Sequence, residues 1–279
     1  MILDCHTHIF SPAVCSGRER YLADPQFECI YRNPRARLID HRQLLAAMDE
    51  SSVDCCVAMG YPWERSDLCA EQNEYLSSVR IESGGKIAPF GSVPLNDAVD
   101  IDRRVRDIKA GGLFGVGEIS FYRDGMSAHN VRYLDEILRS AVRYDLAVCI
   151  HVNEPVGHRY TGKYDPELDR LCAVIAEHPE AKIILSHWGG GLVFYELMPE
   201  MSRILRNCRY DSAASPYIYR DDIYAAALRC IGGEKILFGS DYPLLSFKKY
   251  IDALRREIPD DAIRARILGQ NAADFLNIK

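Results

Sequence analysis

Residues 3–8 read LDCHTH, which sets two imidazoles, His6 and His8, one residue apart behind a short apolar run. On a strand that spacing points both side chains to one face. Other short apolar runs end in groups that hold cations or carry protons: Glu118 in GVGEIS, His151 in CIHVNEP, His187 in ILSHWGG and Asp241 in FGSDYP. Neutral imidazoles and carboxylates brought together are a ligand set for zinc, iron, nickel or manganese. Buried together without a cation, each would need a hydrogen-bond partner or a shifted pKa. A lone HxH is a weak signal, because a single histidine at a strand end is more often a satisfied core residue. Half of the 8 histidines falling at strand ends, with Glu118 and Asp241 beside them, is a stronger one. His41, His129 and His178 lie at helix ends instead, and His158 lies in a loop.

The elements that must position these groups alternate. Eight apolar, β-branched runs read as strands, at 2–8, 53–60, 86–93, 113–120, 146–152, 182–187, 207–213 and 235–241. Most are nearly continuous in hydrophobicity, as strands covered on both faces are. The third is the weakest, because Pro89 interrupts it. Between them, 128–144 carries one apolar stripe through Val131, Leu134, Leu138, Ala141 and Val142. Asp40 and Gln43 form a capping-box pattern at the head of 40–50. Helices are also expected over 69–82, 98–110, 165–178, 192–206, 221–231, 247–257 and 260–276. This alternation predicts parallel βα units closed into a single (β/α)8 TIM barrel spanning residues 1–279, with an open doubly wound sheet as the alternative. In a barrel the C-terminal strand ends meet at one mouth, so the six candidate groups form a metal site there. Segment 9–39 reads as irregular.

Composition narrows the class. The chain has 279 residues, 48% hydrophobic and 27% charged, with net charge −6. Those values exclude a disordered or fibrous chain and argue against a nucleic-acid grip. The 10 cysteines form no CxxC pair, and Cys5, Cys55, Cys56, Cys149 and Cys208 fall inside strand runs. Reduced core cysteines of a cytoplasmic protein are the expectation. Nothing reads as a signal peptide or as an apolar run of about 18 residues, so no membrane span is expected. The expected partners are a small-molecule substrate and, at most, a second copy in a homodimer.

The ordered stretches DCHTH, GEIS, HVNEP, SHWGG and GSDYP resemble the amidohydrolase superfamily, above all its amidohydrolase-2 branch, which includes aminocarboxymuconate-semialdehyde decarboxylase. The closing ILGQNAADFL resembles the last helix of that branch. The resemblance implies that His6, His8, His151 and Asp241 hold a divalent ion, zinc foremost, with manganese or iron as alternatives. It implies that Asp241 also moves the proton of an attacking water. It gives His187 the role of polarising substrate beside one ion, or of ligating a second. Mononuclear relatives have no ligand on strand 4, whereas two-metal relatives such as the TatD-like nucleases place a Glu there, so Glu118 keeps both one and two ions open. Asp4 shares the parity of His6 and His8 and reads equally as a prop for a ligand histidine or as an acid of the barrel floor.

A divalent ion activates water and polarises carbonyl oxygens. The leading expectation is therefore a metal-dependent hydrolase of a small polar or carboxylated substrate. Non-oxidative decarboxylation is the alternative and a TatD-like nuclease the third. Loops above a barrel set specificity. Glu154, His158 and Trp63 are the candidate substrate contacts, with Lys163 beside them. Arg18, Arg20, Arg32, Arg35 and Arg37 of segment 9–39 are candidates to clamp a carboxylate.

Overall fold

The chain is described by a computed structural model over residues 1–96 and 100–278. Its eight strands are β1 (Leu3–His8), β2 (Cys55–Met59), β3 (Ile87–Gly91), β4 (Gly115–Ile119), β5 (Ala147–Ile150), β6 (Lys182–Leu185), β7 (Cys208–Asp211) and β8 (Ile236–Leu237). They pair in sequence order, and every neighbouring pair is parallel. Backbone bonds join the first strand to the last. Cys5 N–H donates to the Phe238 carbonyl (2.8 Å), Asp241 N–H to that of His6 (2.9 Å) and His8 N–H to that of Tyr242 (2.8 Å). This is the (β/α)8 barrel that the alternation predicts.

The continuous hydrophobicity of the strands has its reason here. One set of strand side chains, including Cys5, Val57, Phe90, Cys149, Ile184 and Leu237, packs together as a cluster that Ala272, Ala273 and Leu276 of the last helix join. The alternate set, including Cys56, Ala58, Val116, Val148 and Ile183, packs with the helices in a second cluster. Pro89 lies within β3, opposite Ala58 of β2. Its carbonyl accepts from Phe114 N–H, and above Gly91 the second and fourth strands bond directly through Gly60. Gly60 N–H donates to the Gly117 carbonyl (2.7 Å) and Glu118 N–H to that of Gly60 (2.9 Å), which fixes the backbone that carries Glu118.

Most expected helices form, at His41–Ser51, Ser66–Glu82, Ala128–Arg143, Leu168–Glu177, Ile223–Ile231 and Phe247–Glu257. The Asp40–Gln43 capping box is made in both directions. Of the helix expected over 98–110, residues 98 and 99 lie outside the described residues, and the helix runs Ile101–Ala110. Three expectations change. The stretch 192–206 is two helices, Leu192–Tyr195 and Pro199–Ile204, because Pro199 lacks the N–H that a continuous helix requires. The stretch 260–276 contains a π turn at Arg266–Gln270. Segment 9–39 is not irregular. It holds short helices at Pro12–Ser16, Arg18–Tyr21 and Pro25–Tyr31, the first and last capped by the Ser11 and Asp24 side chains. All ten cysteines are free thiols. No helix among the described residues is long and apolar enough to cross a membrane.

Candidate metal centre and its cavity

The barrel brings His6, His8, Glu118, His151, His187 and Asp241 to one place. Two three-residue sets, His6–His8–Asp241 and Glu118–His151–His187, each hold their donor atoms within 4.8 Å of one another. His6 Nε2 lies 3.1 Å from His8 Nε2 and 3.8 Å from Asp241 Oδ1, and His8 Nε2 lies 3.1 Å from that oxygen. Glu118 joins the sets. Its Oε2 is 3.6 and 3.7 Å from His6 and His8, and its Oε1 is 2.9 Å from His151 Nδ1 and 3.5 Å from His187 Nε2.

Local backbone explains the convergence. Gly239 gives the first strand room, since a side chain there would meet His6 Cβ at 2.9 Å. Gly117 holds φ +128° against the Cys149 carbonyl, a conformation and a clearance that only glycine supplies. His187 stands just past the sixth strand and opens a left-handed turn through Gly191, with φ +57°. Asp241 is also left-handed, at φ +61°. Two non-glycine residues in this region at one site mark strain held by the surrounding fold.

The electrostatics match a cation site. Burial disfavours a charged His6 ring, but the Asp211 and Glu118 charges outweigh it and raise its pKa well above the usual imidazole value. His187 is likewise pushed up to about 9, burial being overcome by the Glu118 hydrogen bond and charge. Burial opposes ionisation of Asp241, but His8 and the other imidazoles bring it down to about 2. Glu118 is held well below the carboxylate range, with burial again outweighed by His151 and His6. The site therefore holds carboxylates in their ionised form and attracts positive charge to its imidazoles. A divalent cation supplies that charge without protons. His6 is prepared for one: its Nδ1–H donates to Asp211 Oδ2 at 2.8 Å, so Nε2 offers a lone pair toward His8 and Asp241.

Above the donors opens a cavity of about 520 Å³. Its lining combines His8, Glu118, His151, His187 and Asp241 with Tyr31, Tyr61, Tyr122, Tyr160 and Tyr217, and with Arg35, Arg37 and His158.

The amidohydrolase family profile matches residues 3–278. The chain belongs to the amidohydrolase family. Among solved structures it is similar to 5-carboxyvanillate decarboxylase from Sphingomonas paucimobilis, with 17% identity over 100% of this chain and 99% of that one and a TM-score of 0.76. It is also similar to the 5-carboxyvanillate decarboxylase of Novosphingobium aromaticivorans with bound manganese (15% identity, 99% and 97% covered, TM-score 0.76). A third is the dihydroxybenzoic acid decarboxylase of Polaromonas with bound manganese and 2-nitroresorcinol (15% identity, 99% and 96% covered, TM-score 0.69). At these identities the likeness shows a shared fold. No curated protein matches the sequence.

The loop residues of this amidohydrolase divide. His158 lines the cavity, and so do two of the five candidate arginines, Arg35 and Arg37. Arg18 instead bonds the carbonyls of Asn33 and Ala36, and Arg32 pairs with Glu28. Trp63 does not reach the cavity. It is buried against Phe27, with ring centroids 4.9 Å apart, and donates Nε1–H to Gln72 (2.6 Å). Its large apolar ring is needed to seat segment 12–31 on the barrel. Glu154 is also buried off the cavity lining, its Oε2 accepting from Tyr160 (3.0 Å) and standing 3.9 Å from Lys163 Nζ. Asp4 does not touch the His6 ring. Its Oδ1 accepts the backbone N–H groups of His6 (2.9 Å) and Ser240 (3.1 Å), and burial pushes its carboxyl up to about 7. The prop of His6 is Asp211, at the end of β7, which the sequence reading missed. Its Oδ1 also accepts from His187 N–H (2.9 Å) and Ala213 N–H (3.0 Å).

Proposed function

We propose that the chain is a metal-dependent, non-oxidative decarboxylase of a small aromatic or similarly conjugated carboxylic acid. This reverses the order of the two leading classes in the sequence reading. The observation that carries it is the cavity, whose lining combines five tyrosines with the Glu118 and Asp241 carboxylates and the His8, His151 and His187 imidazoles. A flat, conjugated acid fits such walls by ring contacts. Solved amidohydrolase folds similar to this chain, named as carboxyvanillate and dihydroxybenzoate decarboxylases, support the same reading.

His6, His8 and Asp241 would hold a divalent ion, with Glu118 and His151 beside them. Manganese stands in two of those structures, so Mn²⁺ joins Zn²⁺ as the ion to test. Such an ion neutralises the charge of a bound carboxylate. His187, with Nδ1–H anchored on the Ala213 carbonyl (3.0 Å), presents Nε2 to the site and is the group placed to hold a proton there. Delivery of that proton to the carbon bearing the carboxylate lets the bond to carbon dioxide break, and its electron pair returns to the ring. The proton stays on the ring as the new C–H bond, and the carboxylate leaves as CO₂.

The test is turnover of hydroxylated aromatic carboxylates in D₂O by manganese- or zinc-loaded protein. CO₂ release is expected, with one deuterium at the vacated carbon. The reading fails if no acid loses CO₂ while an ester or lactone of similar size takes up ¹⁸O from labelled water.

A further inference from the structure

Asn153 lies in the loop that follows β5 and is buried, at 1% exposure. Its Oδ1 accepts Tyr164 N–H (3.0 Å). A backbone N–H can only donate, so this contact fixes which end of the amide faces which partner. Both hydrogens of Nδ2 are then assigned. One goes to the Tyr160 hydroxyl oxygen (2.8 Å), whose own hydrogen goes to Glu154 Oε2 (3.0 Å). The other goes to Nε2 of His151 (2.9 Å). An imidazole nitrogen that accepts carries no hydrogen, so the His151 ring hydrogen is on Nδ1. That nitrogen stands 2.9 Å from Glu118 Oε1 and 3.1 Å from His187 Nε2. His151 therefore shows the donor cluster an N–H, where His6 shows it a lone pair. The same loop grips His151 from behind, as Tyr164 O–H donates to its carbonyl (2.8 Å). The turn that opens at His187 packs on the loop too, and a side chain at Gly190 would run into the Asn153 carbonyl. Further along, His158, Tyr160, Thr161 and Gly162 line the cavity.

We propose that Asn153 couples the loop over the cavity to the metal-binding state of His151. While the bond to Tyr164 is made, His151 is a hydrogen-bond donor to Glu118. To ligate through Nδ1 it must carry its hydrogen on Nε2, and that hydrogen then faces the two hydrogens of the Asn153 amide. Turning the amide over removes the conflict by aiming Oδ1 at Nε2–H, and it takes the acceptor away from Tyr164 N–H. Recruitment of His151 to an ion and the present packing of residues 153–164 therefore oppose one another. Asn153 is the positioning residue that joins them. The inference rests on the metal-binding part of the proposed function and not on the loss of CO₂.

Nuclear magnetic resonance on ¹⁵N-labelled protein tests the coupling with no substrate present. In metal-free protein the ring-nitrogen shifts are expected to place the His151 hydrogen on Nδ1. Loading with Zn²⁺ is expected to place it on Nε2 and to speed exchange of Tyr164 N–H about tenfold, the scale of one lost hydrogen bond. Asn153→Asp supplies a third reading. Its two carboxylate oxygens accept Tyr164 N–H and His151 Nε2–H together, so nothing has to turn over. Zn²⁺ affinity in competition with a chelator is expected to rise about tenfold, the lower end of what a carboxylate behind a ligand histidine contributes. Asn153→Ala supplies neither acceptor and is expected to show no such gain, and a residue that only fills space gives none with Asp. A His151 hydrogen on Nε2 in metal-free protein, Tyr164 exchange unchanged or slowed by Zn²⁺, or a folded Asp variant that binds no tighter each overturns the coupling. The first two readings use the unaltered protein, so they decide the matter even if a variant misfolds. Zn²⁺ binding accompanied by any of these results removes the coupling alone and leaves the proposed function standing. Failure of both Zn²⁺ and Mn²⁺ to bind removes both.

Discussion

Asp211 fixes the His6 ring with Nε2 facing His8 and Asp241. Its Oδ2 takes the Nδ1 hydrogen and its Oδ1 takes two backbone N–H groups, one of them that of His187. Props of this kind typically change metal affinity 10–100-fold. Asp211→Ala is therefore expected to weaken metal binding by about that factor in competition with a chromogenic chelator, and unchanged affinity would remove the role. The convergence of the six candidate groups was legible because each ends an apolar run. Asp211 also ends one, but RYDSA offers a single acid with no second signal, and Asp4 has the better parity with His6. Only the closed barrel shows that Asp4 points to backbone while Asp211 reaches the ring. His187 gives a pH prediction for metal-free protein. Its pKa rises from about 6.5 unfolded to about 9 folded, so folding favours the protonated ring. That stabilisation, about 3 kcal/mol by linkage, is complete below about pH 6.5 and disappears as pH climbs through about 9. Melting temperature should fall across that window, and His187→Gln should flatten the fall.

At the scale of elements, segment 9–39 departs most from its sequence reading. Its helices span 5, 4 and 7 residues, too short for an apolar period to register. Their signals were the pairs Ser11-Pro12 and Asp24-Pro25, a capping side chain followed by proline at the first helical position. Asp24 reaches beyond its own helix. It accepts Gln26 and Phe27 N–H with one oxygen and Glu64 and Arg65 N–H with the other, at 3.0–3.2 Å, so it binds the segment to the loop after the second strand. Trp63 packs in the same joint. Trp63→Ala is expected to destabilise the fold by roughly 3–5 kcal/mol, as large-to-small core changes do, measured by denaturant unfolding. Trp63→Phe, which keeps the stacking on Phe27, is expected to bind substrate with near-normal affinity. A large loss of substrate affinity in a Trp63→Phe protein of normal stability would restore Trp63 to the cavity wall.

Over the whole molecule, the donors span the place where the barrel closes. His6 and His8 belong to the first strand, and Asp241 follows β8, which pairs over only two residues. Three backbone bonds and one isolated bridge, Thr7 to Tyr242, join the two sides. A bound ion adds cross-links at that seam between parts of the chain more than 200 residues apart. Binding to the folded state alone stabilises by about 4 kcal/mol when free metal is 1,000 times its dissociation constant. For a chain of this size that is a rise in melting temperature of roughly 10 °C. Removal of metal by a chelator should therefore lower the melting temperature by about that much, and Mn²⁺ or Zn²⁺ should restore it. The location of the loosening distinguishes a seam clasp from uniform stabilisation. Hydrogen exchange in the metal-free protein should accelerate first at Cys5, His8 and Asp241, whose N–H groups bridge the seam, and later within β5 on the far side of the ring. Uniform acceleration around the barrel, or no change on metal removal, would separate the metal from barrel closure and confine it to chemistry.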